Sequence, residues 1–317
     1  MTSRAPSHDL PPLPAAVLGR MTIGGLDLWV LDEGHGALLY GGNKVRKLHG
    51  LLAHALRQGA RDVVTFGAWG SHHVYATAVW GARVGLRTHA VWIRQPETPH
   101  VRAMAEASQA ACASVQAVRS MAELPVVTAA VSARILAETG RAPAHLPPGG
   151  SSAEGTRGWV ELGKALPGLL ADAGFPSPDA VVVASGSGGT SAGLMASGLP
   201  VHAVRVGPRA LTNGAWLRKL ARSGGAEHLG PLTIQHGYRA GGYGRWDART
   251  EEACAAGRAA GLPTETTYTA KSLACALDLT RDGRRVLYVQ TASAVTPPPA
   301  PGLRRDLVDS LGLQPGS

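Results

Sequence analysis

Cysteine is scarce: there are three in 317 residues, Cys112, Cys254 and Cys275, an odd number with no CxxC pair. That excludes a disulfide framework, gives no support to a zinc ribbon and fits a reducing compartment. Aromatic residues make up 5% of the chain and include two phenylalanines. No basic stripe therefore carries the interleaved rings on which a single-strand nucleic-acid binder stacks bases. Charge is also sparse, 17% in all, with 31 Lys and Arg against 22 Asp and Glu and a formal net charge of +9. The cations stand singly or in pairs, as at Arg46-Lys47, Arg284-Arg285 and Arg304-Arg305. The excess therefore favours solubility or a small anionic ligand over nucleic acid. No uncharged run is long enough to span a bilayer, and residues 1–14 hold no continuous apolar segment of the signal-peptide kind. The expectation is a soluble cytoplasmic protein that binds neither membrane nor nucleic acid.

What the chain does have is 44% hydrophobic residues, 41 glycines and 22 prolines without collagen periodicity, so the glycines are local devices in loops. Apolar runs rich in valine at 62–66, 88–93, 180–184, 202–206 and 285–289 read as buried strands. Helical patterns follow most of them, at 73–84, 123–138, 190–196, 251–260 and 270–278. The clearest helix opens after Asn43, read as its N-cap, and places Val45, Leu48, Leu52, Ala55 and Leu56 on one face before Gly59. Alternating strands and helices predict α/β layers with a largely parallel sheet and ligands at the carboxyl ends of its strands. The first fourteen and last twenty or so residues are expected to be poorly ordered, apart from a helical turn within 307–313.

Five glycine-rich segments carry candidate chemistry. In VVVASGSGGTSAG (181–193) a strand runs through Ser185, Gly186, Ser187, Gly188, Gly189 and Thr190 into a helix. Bare amides at a helix start are suited to a phosphate, although an ordinary strand-to-helix turn would look the same. It is neither a Walker loop nor GxGxxG, since Ser191 stands where a third glycine would. In GGNKVRKL (41–48) Lys44 occupies a first helical turn, where partial positive charge lowers an ammonium pKa and favours a nucleophilic amine. Lys47 is one turn on and could reach a phosphate; taken alone, both lysines fit a solvated helix face better, and the combination with a phosphate loop favours chemistry. In GAWGSHH (67–73) Ser71 either caps a helix or faces a ligand, and His72-His73 has no companion ligands at metal spacing, so no metal is expected. PPGGSS (147–152) is a tight turn or a further donor set. Tyr243 in GGYG and Tyr268 in TYTAKS are phenols beside loops, suited to acid chemistry or, for Tyr268 taken singly, to core packing.

These segments, in this order and together with LYVQT (287–291), resemble the pyridoxal-phosphate family of D-cysteine desulfhydrase and aminocyclopropane-carboxylate deaminase, relatives of the tryptophan synthase β-chain. The resemblance runs over about residues 28–294. It implies a two-domain tryptophan synthase β-like fold (fold type II) with pyridoxal phosphate in the interdomain cleft. A large domain of 1–51 and 158–317, a small domain of 52–157 and a homodimer are the matching expectations. By resemblance, Lys44 forms the Schiff base with the cofactor, and Lys47, Ser187, Gly188, Gly189 and Thr190 hold its phosphate. Ser71 meets the substrate carboxylate or assists proton transfer, Tyr243 and Tyr268 are the active-site tyrosines, and Thr291 bonds the pyridine nitrogen. Either Ser71 or Lys44 is left to take the α-proton.

The same resemblance orders the activities. Similar deaminases carry glutamate directly after the second tyrosine, where this chain has Thr269, and a neutral partner is a weaker electron-sink tuner. That favours β-elimination from a small amino acid, D-cysteine first, giving pyruvate, ammonia and sulfide. Ring opening, β-replacement or isomerisation is the alternative, and a catalytically inactive binding homologue is the alternative of another class. Departures are His72 for the usual asparagine, which puts an imidazole beside the cofactor, Ala292-Ser293 for the usual Gly-Gly, and Trp69-Gly70 for the more common Ile-Gln.

Overall fold

The computed structural model describes residues 10, 13–37 and 39–313. The chain opens with an antiparallel hairpin of β1 (Val17–Ile23) and β2 (Leu26–Asp32), turned at Gly24 and Gly25. Next come α1 (Lys44–Arg57), β3 (Asp62–Ala68), α2 (His72–Arg83), β4 (Arg87–Ile93), α3 (Pro99–Ala111), β5 (Ser114–Val118), α4 (Leu124–Thr139) and β6 (Ala144–Leu146). Then follow α5 (Ala153–Asp172), β7 (Ala180–Ser185), α6 (Gly189–Leu194), β8 (Val201–Arg205), α7 (Gly214–Ser223) and β9 (Leu232–Gln235). The last elements are α8 (Ala248–Ala259), α9 (Thr269–Arg281), β10 (Val286–Gln290) and α10 (Arg305–Leu311).

The chain forms two compact units, one of residues Leu13–Gly50 and Gly150–Val295, the other of Leu51–Gly149 with the segment from Thr296. In the first, the strands lie in the order β1-β2-β10-β7-β8-β9, and every neighbouring pair except β1·β2 is parallel. Alternation along the strands makes two apolar faces. Leu31, Val181, Val183, Leu287 and Val289 pack with Trp159, Leu162 and Leu166 of α5 and Leu217 and Leu220 of α7. Leu28, Val30, Ala180, Val182 and Tyr288 pack with Leu273, Cys275 and Leu277 of α9. The valine-rich strands therefore read as continuous apolar runs because both faces are covered. The parallel strands β2, β10, β7, β8 and β9 end on one edge, and from it leave the segments 33–43, 291–293, 186–188, 206–213 and 236–247.

The second unit holds a parallel sheet in the order β5-β4-β3-β6. Ala90 and Trp92 pack with Trp69, Val74 and Val101 on one side, and Val64, Val91 and Val118 pack with Val131 and Ile135 of α4 on the other.

The expected strands are β3, β4, β7, β8 and β10, each within two residues at both ends. The helix expected at 190–196 is α6 closed by a 3₁₀ turn, Met195–Ser197. The strand β1, α3, β5, β6, α7 and β9 are additions to the sequence reading. At the chain ends, residues 1–9, 11, 12 and 314–317 lie outside the described residues, and the helical turn expected within 307–313 is present. The predicted turn there is α10, whose Leu307 and Leu311 are buried in the core of the second unit.

Candidate active site

The residues that sequence motifs single out in the first unit gather at the carboxyl edge of its sheet. Lys44 is the first residue of α1, presented by the turn Gly41-Gly42-Asn43. Gly42 has φ +49°, and a Cβ there would stand 2.3 Å from the Thr291 carbonyl oxygen. Only glycine lets this turn press against the residue after β10, where the Asn43 N–H donates to the Thr291 carbonyl at 3.0 Å. Asn43 does not act as the helix cap expected of it. Its Nδ2 donates to Thr190 Oγ1 at 2.9 Å, its Oδ1 accepts from Lys44 Nζ at 2.7 Å, and its carbonyl accepts from Trp159 Nε1 at 3.0 Å. One side chain thus joins the lysine turn to the loop after β7. Burial brings the Lys44 amine down to about 8, against the pull of the Glu265 carboxylate. Arg46, beside it in sequence, is committed elsewhere: it forms a buried ion pair with Glu33, Nε to Oε2 2.8 Å.

Lys47 lies one turn along α1 and is 2% exposed. Its Nζ donates to Ser151 Oγ at 3.3 Å, Ser151 Oγ and Ser187 Oγ are 2.7 Å apart, and Ser151 Oγ accepts from the Gly189 N–H at 3.1 Å. Burial, then the neighbouring Lys44 charge, pushes the Lys47 amine well below its usual value. A Cβ on Gly189 would come within 2.7 Å of Ser151 Oγ and 2.9 Å of Lys47 Nζ. The bare glycine therefore lets the Lys47 amine and the Ser151 hydroxyl crowd against the start of α6, and with Ser187 and the Gly189 N–H they form a donor set that matches phosphate oxygens. For Ser151 the sequence leaves a tight turn and a further donor set equally open, and the structure shows the donor. Its neighbour Ser152 is an ordinary helix cap, accepting from the Gly155 N–H of α5 at 3.2 Å.

The tyrosines meet. Tyr268 OH donates to Tyr243 OH at 2.8 Å, with ring centroids 5.7 Å apart and edge to face. Both are half-buried, so Tyr268 is not the plain core residue its surroundings in sequence suggest. Burial raises both phenols, Tyr268 well above its usual range, so both stay protonated at neutral pH. Glu265, which no motif marks, organises the start of α9: its carboxylate accepts from the N–H groups of Thr267, Tyr268 and Thr269 at 2.7–2.9 Å. It also takes the Thr269 hydroxyl at 3.2 Å. Lys271, with no exposed surface, donates from Nζ to the carbonyls of Arg239 and Gly242, both at 2.9 Å, and so clamps the loop that carries Tyr243. Thr291, 8% exposed, directly follows β10. Beside it the buried Gln290 accepts through Oε1 from Tyr288 OH and the Thr291 N–H, and its Nε2 has no hydrogen-bond partner among the described residues.

Ser293 Oγ accepts from the Gly41 N–H at 3.2 Å and the Val295 N–H at 3.1 Å, so the hydroxyl ties the lysine turn to the segment after β10.

Ser71 and His72 belong to the second unit, where Ser71 is the N-cap of α2 and accepts from the His73 N–H at 3.3 Å. His72 Nε2 lies 3.4 Å from His100 Nε2. Among the described residues no group of three or more His, Cys, Asp or Glu side chains is placed to hold a metal ion.

A family model described as pyridoxal-phosphate dependent enzyme matches residues 12–289. A D-cysteine desulfhydrase of Serratia proteamaculans is 31% identical over 295 residues, 85% of this chain and 87% of its own. A putative 1-aminocyclopropane-1-carboxylate deaminase of Pyrococcus horikoshii is 30% identical over 282 residues, 84% of each chain. Among solved structures, an ACC deaminase homologue aligns over 90% of both chains with a TM-score of 0.75 at 26% identity. A threonine deaminase aligns over 87% of this chain with a TM-score of 0.58 at 18% identity, a likeness of fold alone.

Proposed function

Because the chain belongs to the pyridoxal-phosphate dependent enzyme family, we propose that it is a lyase acting by β-elimination on a small amino acid, D-cysteine first, with water completing its conversion to pyruvate, ammonia and hydrogen sulfide. The observation that carries this reading is the pairing, at one sheet edge, of an amine lowered to about 8 with the donor cluster of Lys47, Ser151 and Ser187 around Gly189. These residues fit the cofactor: Lys47, Ser151, Ser187, Gly188, Gly189 and Thr190 would hold its phosphate, Lys44 its carbonyl carbon and Thr291 its pyridine nitrogen. When bound, pyridoxal phosphate supplies an electron sink for negative charge developing at the substrate α-carbon.

The chain's own groups then divide the work. Lys44 is neutral in part near pH 8, so its Nζ can take up or return a proton. Tyr268 and Tyr243, both protonated at neutral pH and bonded to each other, are a proton source for a departing thiolate. Ser71 and His72 are proposed for the substrate carboxylate and the cofactor ring oxygen. Thr269 supports elimination over ring opening: its hydroxyl is uncharged, 1% exposed and held by Glu265. We further propose a cytoplasmic homodimer; the three cysteines are all free thiols, as a reducing compartment requires. A molar mass twice that of the chain in light scattering is the expected result.

The test is the near-visible absorbance of the purified protein before and after D-cysteine. A band that shifts while pyruvate and sulfide accumulate is the expected result. An unchanged band with turnover of aminocyclopropane-carboxylate would favour the deaminase alternative. An unchanged band with every small amino acid would favour the inactive homologue.

A further inference from the structure

β8 and β9 are parallel neighbours, paired from Val201 with Leu232 to Val204 with Gln235, so the segments leaving their carboxyl ends emerge side by side. Three arginines stand there: Arg205 at the end of β8, Arg209 in the exposed turn Arg209–Leu211, and Arg239 just beyond β9. No carboxylate pairs with any of them among the described residues. The Nε atoms of Arg205 and Arg239 are buried and have no hydrogen-bond partner there. Burial, then the charges of Arg239 and Arg209, lowers the Arg205 pKa, which places both cations within electrostatic reach of Arg205.

The nearby acids are already committed. Glu265 holds the N–H groups at the start of α9, and Asp247 caps α8 through the Thr250 N–H and hydroxyl at 2.9 and 2.6 Å. The arginines are also built in. Lys271 fixes the backbone of Arg239 through its carbonyl, and Arg205 pairs in register with Ser185, the last residue before the glycine loop. Guanidinium groups on adjoining segments with no carboxylate partner among the described residues, two of them with a buried N–H left unsatisfied, carry the chemistry that recognises an oxyanion.

We propose that Arg205, Arg209 and Arg239 form a binding site for a doubly charged oxyanion, made of other residues than the donor cluster of Lys47 and Ser151. The ligand is a phosphate- or sulfate-like group, carried by the side chain of the amino acid turned over or supplied as a free anion that modulates the enzyme. Only the first source rests on the lyase reading.

Cofactor-loaded protein is titrated with inorganic sulfate by calorimetry in phosphate-free buffer. A saturable isotherm weakened at least tenfold in Arg205→Met and Arg239→Met is expected, with the near-visible band retained. Arg209→Ala, on an exposed turn, gives a weaker loss in a chain whose fold is not at risk. Two kinetic arms separate the sources. A kcat/KM for O-phospho-D-serine at least tenfold above that for D-serine, lost in the arginine variants, assigns the anion to the substrate. Sulfate binding without that preference assigns it to a free modulator. No saturable sulfate binding together with no preference overturns the proposal, as do isotherms identical in wild type and all three variants. Failure of the lyase reading shows separately, as absent turnover in a chain whose sulfate isotherm still responds to the arginine substitutions.

Discussion

Tyr268 donates its phenolic proton to the Tyr243 oxygen over 2.8 Å, leaving the second phenol with its own proton to give. Burial holds both phenols protonated at neutral pH. Tyr243→Phe is therefore expected to remove the terminal donor and lower kcat for D-cysteine about 100-fold or more, the range of a single acid-base group. Tyr268→Phe should cost less, because Tyr243 remains. Both variants should keep the cofactor band; an unchanged kcat in Tyr243→Phe would remove the pair from the mechanism.

The Lys44 amine lies at about 8 in the folded chain against an ordinary 10.5. Its neutral form grows as pH rises through about 8 and is nearly complete by pH 9. The rate at which cofactor-free protein develops the near-visible band should follow that curve, and flatten at lower pH than the same reaction of free Nα-acetyl-lysine. Lys44→Ala should give no covalent band at any pH. The linkage has a definite sign: between about 8 and 10.5 the unfolded chain binds the extra proton, so this group makes the cofactor-free fold more stable as pH rises across that window. Urea unfolding at pH 8 and pH 10 reads it.

Two glycine substitutions should separate fold from cofactor. Gly42→Ala combines φ +49° with a backbone oxygen at 2.3 Å, which cannot yield easily, so both stability and cofactor retention should fall. Gly189→Ala meets the ends of two side chains, Ser151 Oγ at 2.7 Å and Lys47 Nζ at 2.9 Å, which can move. Its melting temperature should stay near wild type while its affinity for pyridoxal phosphate drops at least tenfold, measured by equilibrium dialysis.

Lys271 holds a bent segment: Ala240 has φ 50°, followed by Gly241 at 77° and Gly242 at 148°. In Lys271→Met the carbonyls of Arg239 and Gly242 lose their donor, at a cost of about 1–3 kcal/mol for each buried acceptor left unsatisfied. Faster tryptic cleavage after Arg239 and faster amide exchange at Gly241 and Gly242 are the expected readouts. Cleavage at the wild-type rate would mean that the segment holds itself.

Much of this was readable in the amino-acid order, and the failures share a cause. The strands with both faces covered, such as Val181–Ser185 within β7, announce themselves as apolar runs, whereas β1 mixes Arg20 and Thr22 with Met21 and Ile23 because one side of this edge strand is exposed. Lys44, Lys47 and the 185–190 loop could be picked out because local spacing carries their chemistry. Asn43 was misread as a cap because its true partner, Thr190, lies 147 residues away. Ser151 stays undecided between turn and donor, and Glu265 is missed, for the same reason: their roles depend on which distant segments the sheet order brings beside them.

β2 lies between β1 and β10, although residues 26–32 and 286–290 are separated by most of the chain. During synthesis the N-terminal hairpin must wait, with one strand unpaired, until the last strand leaves the ribosome. The turn bearing Lys44 rests on the Thr291 carbonyl and is completed in the same event. If Lys44 carries the cofactor as proposed, a polypeptide ending before residue 286 should hold that lysine without the backbone that presents it, and should not capture the vitamin-derived aldehyde.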